Sequence, residues 1–295
     1  DLVGRFGAVG LEPGGVDGSW TQPVPLLDTA LGKPETLSIT SKGKATALNA
    51  GKDIYVSTLQ PRDRVTVEDA DMVFVGYGVT APERGWDDFK DVDLKGKVAG
   101  FLVNDPDFAA ASDEPVAGTF GGRAMTYYGR WTYKYEEASR QGAAGAIIIH
   151  ETAPASYPWS VVENSWSGEQ FGFVKDNNNM DRVAVEGWVT VDVAKELFTK
   201  AGLDFDTAKA EAAKGAYHVD MGDLAATVNV KNTIKKSVSY NFIATLPGSK
   251  TPDEHIIYSA HWDHLGTDEN RKGDQIYNGA HDNATGTAGM IEVAE

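Results

Sequence analysis

Cysteine is absent from the 295-residue chain. Its absence excludes disulfide bonds, thiolate ligands for zinc and cysteine nucleophiles. Any transition-metal site must therefore use histidine, aspartate or glutamate, and the chain has only six histidines. The lack of cysteine favours neither an oxidising nor a reducing compartment.

Long apolar runs and an excess of positive charge are absent as well. No stretch reaches the roughly 18 apolar residues that a membrane-spanning helix needs, so we predict no membrane span. The formal net charge is -16 and the pI is about 4.8. A field of this sign repels phosphate backbones, and nucleic acid is therefore not expected as a partner. The GxSxG motif of the α/β-hydrolases is also missing, which argues against that class.

What is present is a hydrophobic fraction of 41%, ample for a packed core. Apolar spacing predicts a short helix near the N-terminus, and extended stretches follow around glycine turns. From about Glu68 the pattern becomes that of an α/β region. There "KGKVAGFLV" and "AIIIH" predict strands, "YKYEEASRQ" predicts a helix, and "VEGWVTVDVAKELFTKAG" predicts a strand that leads into a helix ending at Gly202.

The last third returns to a strand-rich pattern. "DLAATVNVKNTI" and "SVSYNFIATLPG" predict two paired strands, and "EHIIYSA" predicts a third. The two ends of the chain resemble each other more than they resemble the middle. We therefore predict a first domain split into residues 1–67 and 221–295, with residues 68–220 inserted.

An aromatic stretch near the end of the predicted insertion, "SYPWSVVENSWSGEQFGFVKDNNN", lacks clear periodicity. We predict a long loop here. It is either a recognition loop or a loop folded onto its own aromatic side chains.

Two histidines and a carboxylate occur together in "HWDH" at residues 261–264, where an apolar run ends. In an extended segment His261 and Asp263 lie on the same face. A ligating histidine is commonly oriented by a neighbouring carboxylate, which also raises the basicity of the ring. The pattern is therefore compatible with a metal site, and also with an ordinary hydrogen-bonded strand end.

A second polar motif, "GAHDNATG", predicts a tight loop that leads into a helix. Asp282 would lie near the positive end of that helix and stay ionised, and an ionised carboxylate can bridge two cations. Adjacent side chains commonly diverge, so we expect a structural role for His281. We expect no catalytic role for the three remaining histidines, which are His150, His218 and His255.

Taken together, "SAHWDHLG" and "GDQIYNGAHDNATGTAGMIEVAE" resemble the co-catalytic zinc aminopeptidase family of metallopeptidases. The resemblance implies an α/β zinc-exopeptidase core with a mixed central sheet flanked by helices, only part of which is present. It also implies two zinc ions per complete site. His261 would be a zinc ligand, Asp282 the carboxylate bridging both ions, and Asp263 the catalytic residue that orients the ligand.

The middle of the chain resembles a second module. "DDFKDVDLKGKVAGFLVNDPDF" and "KYEEASRQGAAGAIIIHE" are similar to the β-rich protease-associated domain that several members of this family carry ahead of the catalytic motifs. The resemblance implies that residues 68–220 are such a domain, inserted into the peptidase domain.

The activity implied by the resemblance is hydrolysis of N-terminal peptide bonds by a metal-activated water, with peptides as substrates. Two alternatives stay open. A carboxypeptidase of the same family would need basic residues such as Arg123, Arg130 or Arg140 near the substrate, and a receptor-like binding protein would keep the fold without the metals. We expect a periplasmic or secreted protein, and we predict neither the side-chain preference nor the oligomeric state.

One departure from the family pattern concerns the residues that follow the bridging aspartate. The resemblance implies a later pair of glutamates, giving the general base and a ligand, then an Asp or Glu and a final His. The sequence ends at Glu295, thirteen positions after Asp282. We therefore expect the chain to be part of a longer enzyme and to be inactive alone. Glu292 and Glu295 are expected on a solvated helix face rather than as substitutes.

Overall fold

The computed structural model describes residues 2–34, 36–177, 179–267 and 271–295. The chain forms two compact units. The smaller contains residues 1–24 and 238–295, and the larger contains residues 25–237. Among the described residues, none of the helices has the length and apolar character required to cross a membrane.

The described residues form seven α-helices. These are α1 (Leu2–Ala8), α2 (Trp131–Arg140), α3 (Thr152–Ala155), α4 (Trp159–Trp166), α5 (Val191–Lys200), α6 (Phe205–Ala212) and α7 (Thr285–Ala294).

The same residues form fourteen strands. These are β1 (Glu12–Pro13), β2 (Thr21–Leu31), β3 (Thr36–Ser41), β4 (Lys44–Ala47), β5 (Ile54–Ser57), β6 (Arg64–Phe74), β7 (Thr80–Ala81), β8 (Trp86–Asp87), β9 (Val98–Leu102), β10 (Gly145–His150), β11 (Gln170–Phe173), β12 (Val185–Thr190), β13 (Val219–Phe242) and β14 (Ala244–Thr245).

A mixed sheet of ten strands forms the centre of the larger unit, in the order β11-β2-β13-β6-β9-β10-β12-β5, with β3 on β13 and β4 on β3. The inner strands β6, β9, β10 and β12 run parallel, and β5 and β13 pair antiparallel to their neighbours. Buried parallel strands read as continuous apolar runs, which is the pattern of "AIIIH" in β10.

Helices cover both faces of this sheet. Ile147 and Ile149 of β10 join the apolar cluster that contains Leu197 of α5, whereas Ile148 joins the cluster that contains Tyr135 of α2. Successive side chains of a strand point to opposite faces, so α2 and α5 must lie on opposite sides. The predicted α/β class, with a mixed central sheet flanked by helices, is confirmed.

The smaller unit contains α1, α7 and the β1–β14 pair. Phe6 of α1 is buried, with its ring centroid 5.4 Å from that of Phe242. Trp20 stacks on the same ring at 5.6 Å. These three aromatic side chains form the apolar contact of the N-terminal segment with the end of β13.

The prediction of two paired strands in residues 223–248 is wrong in the number of strands. Instead of a pair, β13 is a single strand of 24 residues that pairs with β3 and β6. The physical reason lies at residues 233–237, "TIKKS", where neither glycine nor proline is present to reverse the chain.

The loop predicted over the aromatic stretch is also wrong. It contains α4 and β11, and its tryptophans do not pack on one another. Trp159 contacts Tyr55, and Trp166 contacts Trp131 and Tyr135. The aromatic side chains thus attach the segment to β5 and α2, which sequence periodicity alone did not indicate.

The strand predicted for "EHIIYSA" is not formed. Residues 255–266 have no regular secondary structure, and Ile256 and Ile257 are 86% and 84% exposed. A strand is stabilised by hydrogen bonds to neighbouring strands and by a buried face. Within the described part of the chain no strand pairs with this segment.

The compact units have different borders from the predicted domains. The predicted borders at 67/68 and 220/221 lie inside β6 and β13, and these two strands pair with each other. Paired strands share their hydrogen bonds, so the larger unit extends beyond residues 68–220 on both sides. The assignment of residues 68–220 to a protease-associated domain stays a prediction.

Candidate metal centre

The first part of the site is the exposed segment that carries His261. The side chain of His261 is 52% exposed, and its Nδ1 lies 2.9 Å from the backbone oxygen of Asp263. The Asp263 carboxylate is farther away, with Oδ1 at 3.4 Å from the same nitrogen. The backbone carbonyl of Asp263 therefore fixes the ring more closely than its carboxylate does, and the ring presents Nε2 on its other side.

The second part is the loop before α7. It begins at Gly279, which has φ +62° and lies beside His264. A Cβ atom added to Gly279 would be 2.9 Å from the His264 Cβ and 2.8 Å from the Asp282 backbone oxygen. Only glycine allows this approach, because a side chain would meet backbone as well as imidazole. The approach brings residues 261–264 next to the loop that carries Asp282.

Polar side chains hold the loop against the first turn of α7. The Asn283 Oδ1 accepts from the Gly286 N–H at 3.0 Å, and the Thr285 hydroxyl donates to the His281 carbonyl at 2.7 Å. Asp282 itself has φ -122° and ψ 86°, outside the helical region. Its carboxylate consequently lies just before the helix, as the motif predicted.

The two predicted ligands meet. His261 Nε2 lies 3.0 Å from Asp282 Oδ1, although the residues are separated by 21 positions in the chain. His264 Nδ1 lies 3.9 Å from Asp282 Oδ2, and its side chain is only 25% exposed. His264 was quoted with its motif but given no role by the sequence argument. Its signal was its position three residues after His261.

The electrostatics of this cluster favour a charged imidazole. The pKa of His261 is raised above its ordinary value, chiefly by the backbone carbonyl of Asp263 and then by the negative charges of Asp282 and Asp263. Acidic surroundings of this kind attract cations in general, so a metal ion and a proton compete for the same ring nitrogen.

The spacing of the two donor atoms is close to the spacing that zinc requires. Two ligands bound to one zinc at about 2.0–2.1 Å in tetrahedral geometry lie about 3.3 Å apart. The 3.0 Å between His261 Nε2 and Asp282 Oδ1 is close to that value. However, no group of three or more potential ligands is found among the described residues. These residues therefore fit zinc as a pair of donors, short of the three or four that a catalytic site takes from protein.

The other candidate residues lie elsewhere. His150 ends β10, where it is buried, its Nε2 lies 3.1 Å from the Tyr157 carbonyl, and burial lowers its pKa. His255 and His281 are exposed, and Glu292 and Glu295 at the end of α7 are exposed as expected. His218 is exposed and lies immediately before β13.

His261, His264 and Asp282 thus lie together immediately before α7. The family model for Peptidase family M28 matches residues 241–295, which include all of these side chains. The resemblance predicted from the two motifs is confirmed over this segment.

Comparison with solved structures gives aminopeptidases. An aminopeptidase from Aneurinibacillus sp. strain AM-1 is 19% identical, with a TM-score of 0.37, and the match covers 99% of this chain and 51% of that one. For BSAP, a zinc aminopeptidase from Bacillus subtilis, the values are 14%, 0.30, 99% and 49%. The chain thus spans about half the length of both. No curated protein is significantly similar to it in sequence.

Proposed function

We propose that the protein is a zinc-dependent aminopeptidase that hydrolyses N-terminal peptide bonds, with two zinc ions per complete site. The observation that carries the proposal is the 3.0 Å approach of His261 Nε2 to Asp282 Oδ1 within the segment matched by the peptidase model. The whole-chain charge of -16 also favours substrates with a free ammonium group.

The residues of this chain would divide the work as follows. His261 Nε2 and Asp282 Oδ1 would hold the metal, and the second oxygen of Asp282 lies 3.9 Å from His264 Nδ1. Asp263 keeps the His261 ring in place through its backbone carbonyl, which accepts a hydrogen bond from Nδ1, so that Nε2 faces the Asp282 carboxylate. Bound zinc supplies activation of water and polarisation of the scissile carbonyl.

Two alternatives make different demands on the chain. A carboxypeptidase needs a cation for the substrate carboxylate, but Arg140 is paired with Glu137 at 2.6 Å, and the guanidinium of Arg123 lies over the Phe108 ring. A receptor-like protein without metals would keep the contact of His261 with Asp282 only as an ion pair, and zinc content separates it from the enzyme. The contacts of Arg140 and Arg123 favour the aminopeptidase over the carboxypeptidase.

The test uses the protein expressed from its whole reading frame, with an amino-acid p-nitroanilide as substrate and zinc counted by mass spectrometry. His261→Ala and Asp282→Ala are expected to lower kcat/KM by about 1,000-fold or more, with loss of bound zinc. Asp263→Asn is expected to cost about 10–100-fold, as for residues that orient a ligand. His255→Ala is the matched control, because this exposed histidine lies outside the cluster.

Peptides with a free or a blocked amine distinguish the aminopeptidase from the carboxypeptidase. Blocking the substrate amine is expected to abolish hydrolysis. Equal rates on blocked and free peptides, or cleavage from the carboxyl end, would identify the carboxypeptidase instead. Absence of stoichiometric zinc would favour the receptor-like protein. The chain of residues 1–295 alone is expected to bind zinc weakly, since the described residues supply two donors.

Two further proposals accompany this function. Residues 68–220 are proposed to be a protease-associated domain, supported by the two sequence stretches that resemble it, and the protein is proposed to be periplasmic or secreted. Deleting the domain from the whole protein is expected to change the preferred substrate length more than the zinc content. Unchanged activity on peptides of every length would contradict a role in substrate selection.

A further inference from the structure

A groove of about 270 Å³ lies within the larger unit, beside β5. It is lined by residues 31–34, 50–51, 54–57 and 166–168, together with Gln170. In the order of the ten-stranded sheet, β5 is the last strand at one end, and β11 and β2 are the strands at the other. The groove therefore separates the two ends of one sheet.

On the edge of β5 that faces away from β12, one residue has backbone groups that bind no neighbouring strand among the described residues. The Thr190 N–H donates to the Asp53 carbonyl at 3.1 Å, whereas the Gly51 N–H donates to the Ile54 carbonyl at 2.8 Å. Backbone groups alternate between the two edges of a strand, so Ile54 and Val56 face away from β12. Among the described residues, no hydrogen bond occupies the Val56 N–H or carbonyl on that side.

Thr58, two residues after Val56, faces the same way as Ile54 and Val56. Its contact shows where the two ends of the sheet meet. The Thr58 carbonyl accepts from the Thr29 hydroxyl of β2 at 2.7 Å. This contact brings β2 and the end of β5 together at one point. From there toward Val56 and Ile54 the space between them opens into the groove.

In the part of the chain that the structure describes, no strand pairs with β2 at Leu31 on the groove side either. The Gly32 N–H donates to the Lys231 carbonyl at 2.9 Å, so Gly32 faces β13 and Leu31 faces the opposite way. The register of β11 begins at Gln170 opposite Thr29, so β11 ends before it reaches Leu31. Among the described residues, Leu31 and Val56 thus leave backbone groups without strand partners on two edges that border one groove.

The side chains of the groove fit an apolar ligand with a negative group. Leu31, Tyr55, Val56 and Trp166 give it an apolar wall. Lys33 is the one charged residue among the described residues that line it, in a chain whose net charge is -16. A carboxylate is the group that a lone exposed ammonium recognises.

We propose that this groove binds an extended peptide of about four residues as an added strand, between the free edge of β5 at Val56 and the free edge of β2 at Leu31. Apolar side chains of the peptide contact Tyr55 and Trp166, and its carboxylate lies at Lys33. The site lies wholly in the larger unit and involves none of the zinc-binding candidates, so it does not depend on the proposed peptidase activity.

The probe is an N-acetylated, fluorescein-labelled tetrapeptide of valine and leucine that ends in glutamate, since the acetyl group blocks aminopeptidase cleavage. Fluorescence polarisation with the 295-residue chain is expected to give a Kd between about 10 μM and 1 mM. The same peptide with N-methylated backbone nitrogens cannot donate hydrogen bonds to the strand edges. It is expected to bind at least about tenfold more weakly, the loss of one or two hydrogen bonds.

Gly168→Phe is the blocking variant. Gly168 lines the groove, and a Cβ there meets no atom within 4 Å, so the fold has room for a large side chain beside the groove. It is expected to weaken binding at least about tenfold. Gly215→Phe is the matched control, because Gly215 has equally open space and does not line the groove. Lys33→Gln is expected to weaken binding about threefold to tenfold, with a reduced dependence on salt.

Three outcomes would overturn the proposal. These are no binding of the unmodified peptide up to about 1 mM, equal binding of the N-methylated peptide, or equal binding by the Gly168→Phe and Gly215→Phe variants. The N-methylated peptide keeps the test decisive if a groove variant fails to fold, because it needs no change in the protein.

Discussion

Two apolar stretches of similar composition, "GAIIIH" and "HIIYSA", occupy opposite environments in this protein. The first is β10, paired with β9 on one side and β12 on the other, and Ile148 at its centre is fully buried. The second has no regular structure, and Ile256 and Ile257 at its start are 86% and 84% exposed. The comparison teaches that apolar, β-branched composition makes a strand possible, whereas partner strands make it form.

The same contrast holds for charged groups. In the larger unit Lys134 and Asp88 are completely buried, and burial lowers the pKa of Lys134 and raises the pKa of Asp88. In the smaller unit His261 and Asp282 approach each other at the surface, with 52% and 67% of their side chains exposed. Five predictions test whether these two regions differ in stability as they do in burial.

Ile148→Ala is expected to lower the free energy of unfolding by about 2–5 kcal/mol, because it leaves a cavity in a buried sheet. Ile257→Ala is the matched control and is expected to change it by less than about 0.5 kcal/mol, because the side chain is already in water. Urea denaturation of both variants measures the difference. Equal losses would mean that residues 255–260 are buried in solution and that the comparison is wrong.

Lys134→Met is expected to lower the free energy of unfolding by about 2–4 kcal/mol, since it removes a buried amino group and leaves its hydrogen-bond partners unsatisfied. The ammonium donates to the carbonyls of Asn104 and Tyr128, at 3.1 and 2.7 Å, and lies near Asp105 and Asp88. The exposed counterpart, His261→Ala, is expected to cost less than about 1 kcal/mol. Comparable losses from the two variants would contradict the contrast between buried and exposed charges.

The pH dependence of the same variant sharpens the test. Burial lowers the pKa of Lys134 to about 7 from an ordinary 10.5. Between these values the unfolded chain binds the proton and the folded chain does not, so this residue makes wild-type stability rise with pH. The Met variant lacks that rise, and its deficit is expected to widen from pH 7.5 to pH 9.5 by on the order of 1 kcal/mol per pH unit. A deficit that stays constant over this range would show that Lys134 remains protonated in the folded chain.

Gly187→Ala is expected to lower the free energy of unfolding by about 1–3 kcal/mol, the usual cost of overpacking. Gly187 lies in β12, where an added Cβ would be 2.6 Å from the Tyr55 carbonyl oxygen and 2.8 Å from Ile147. Thermal unfolding at fixed pH measures the loss. An unchanged free energy of unfolding would show that β5 can move away from β12 at little cost.

Gly100→Ala is expected to have the smallest effect and the opposite sign. Gly100 lies in β9 beside an apolar cavity of about 60 Å³, and the nearest atom to an added Cβ is the Val73 carbonyl oxygen at 3.8 Å. Alanine fits there and restricts the unfolded chain, so stability is expected to rise by about 0.4–1 kcal/mol. Differential scanning calorimetry measures the change in Tm, with Gly187→Ala as the control variant. A fall in the Tm of Gly100→Ala would mean that the cavity is closed in solution.

Most helices and inner strands could be predicted from the sequence, because their signals are local. The helix α5 begins where the Thr190 hydroxyl accepts from the Val193 N–H and ends before Gly202, which has φ +76°. The candidate site was likewise predicted by motif, with His261 and Asp282 converging as expected. The role of Asp263 was harder to predict, since its backbone carbonyl lies closer to the ring than its carboxylate does.

By itself, the sequence determined the α/β class, the local elements of the larger unit, and the two motifs that match a peptidase family. These depend on spacing, capping and residue chemistry, all of which act within a few positions along the chain. The tertiary structure alone decided that residues 219–242 form one strand rather than two, that residues 255–260 stay unpaired, and that the free edges of β5 and β2 border a common groove. Strand partners come from distant parts of the chain, and their hydrogen bonds leave no local mark in the sequence.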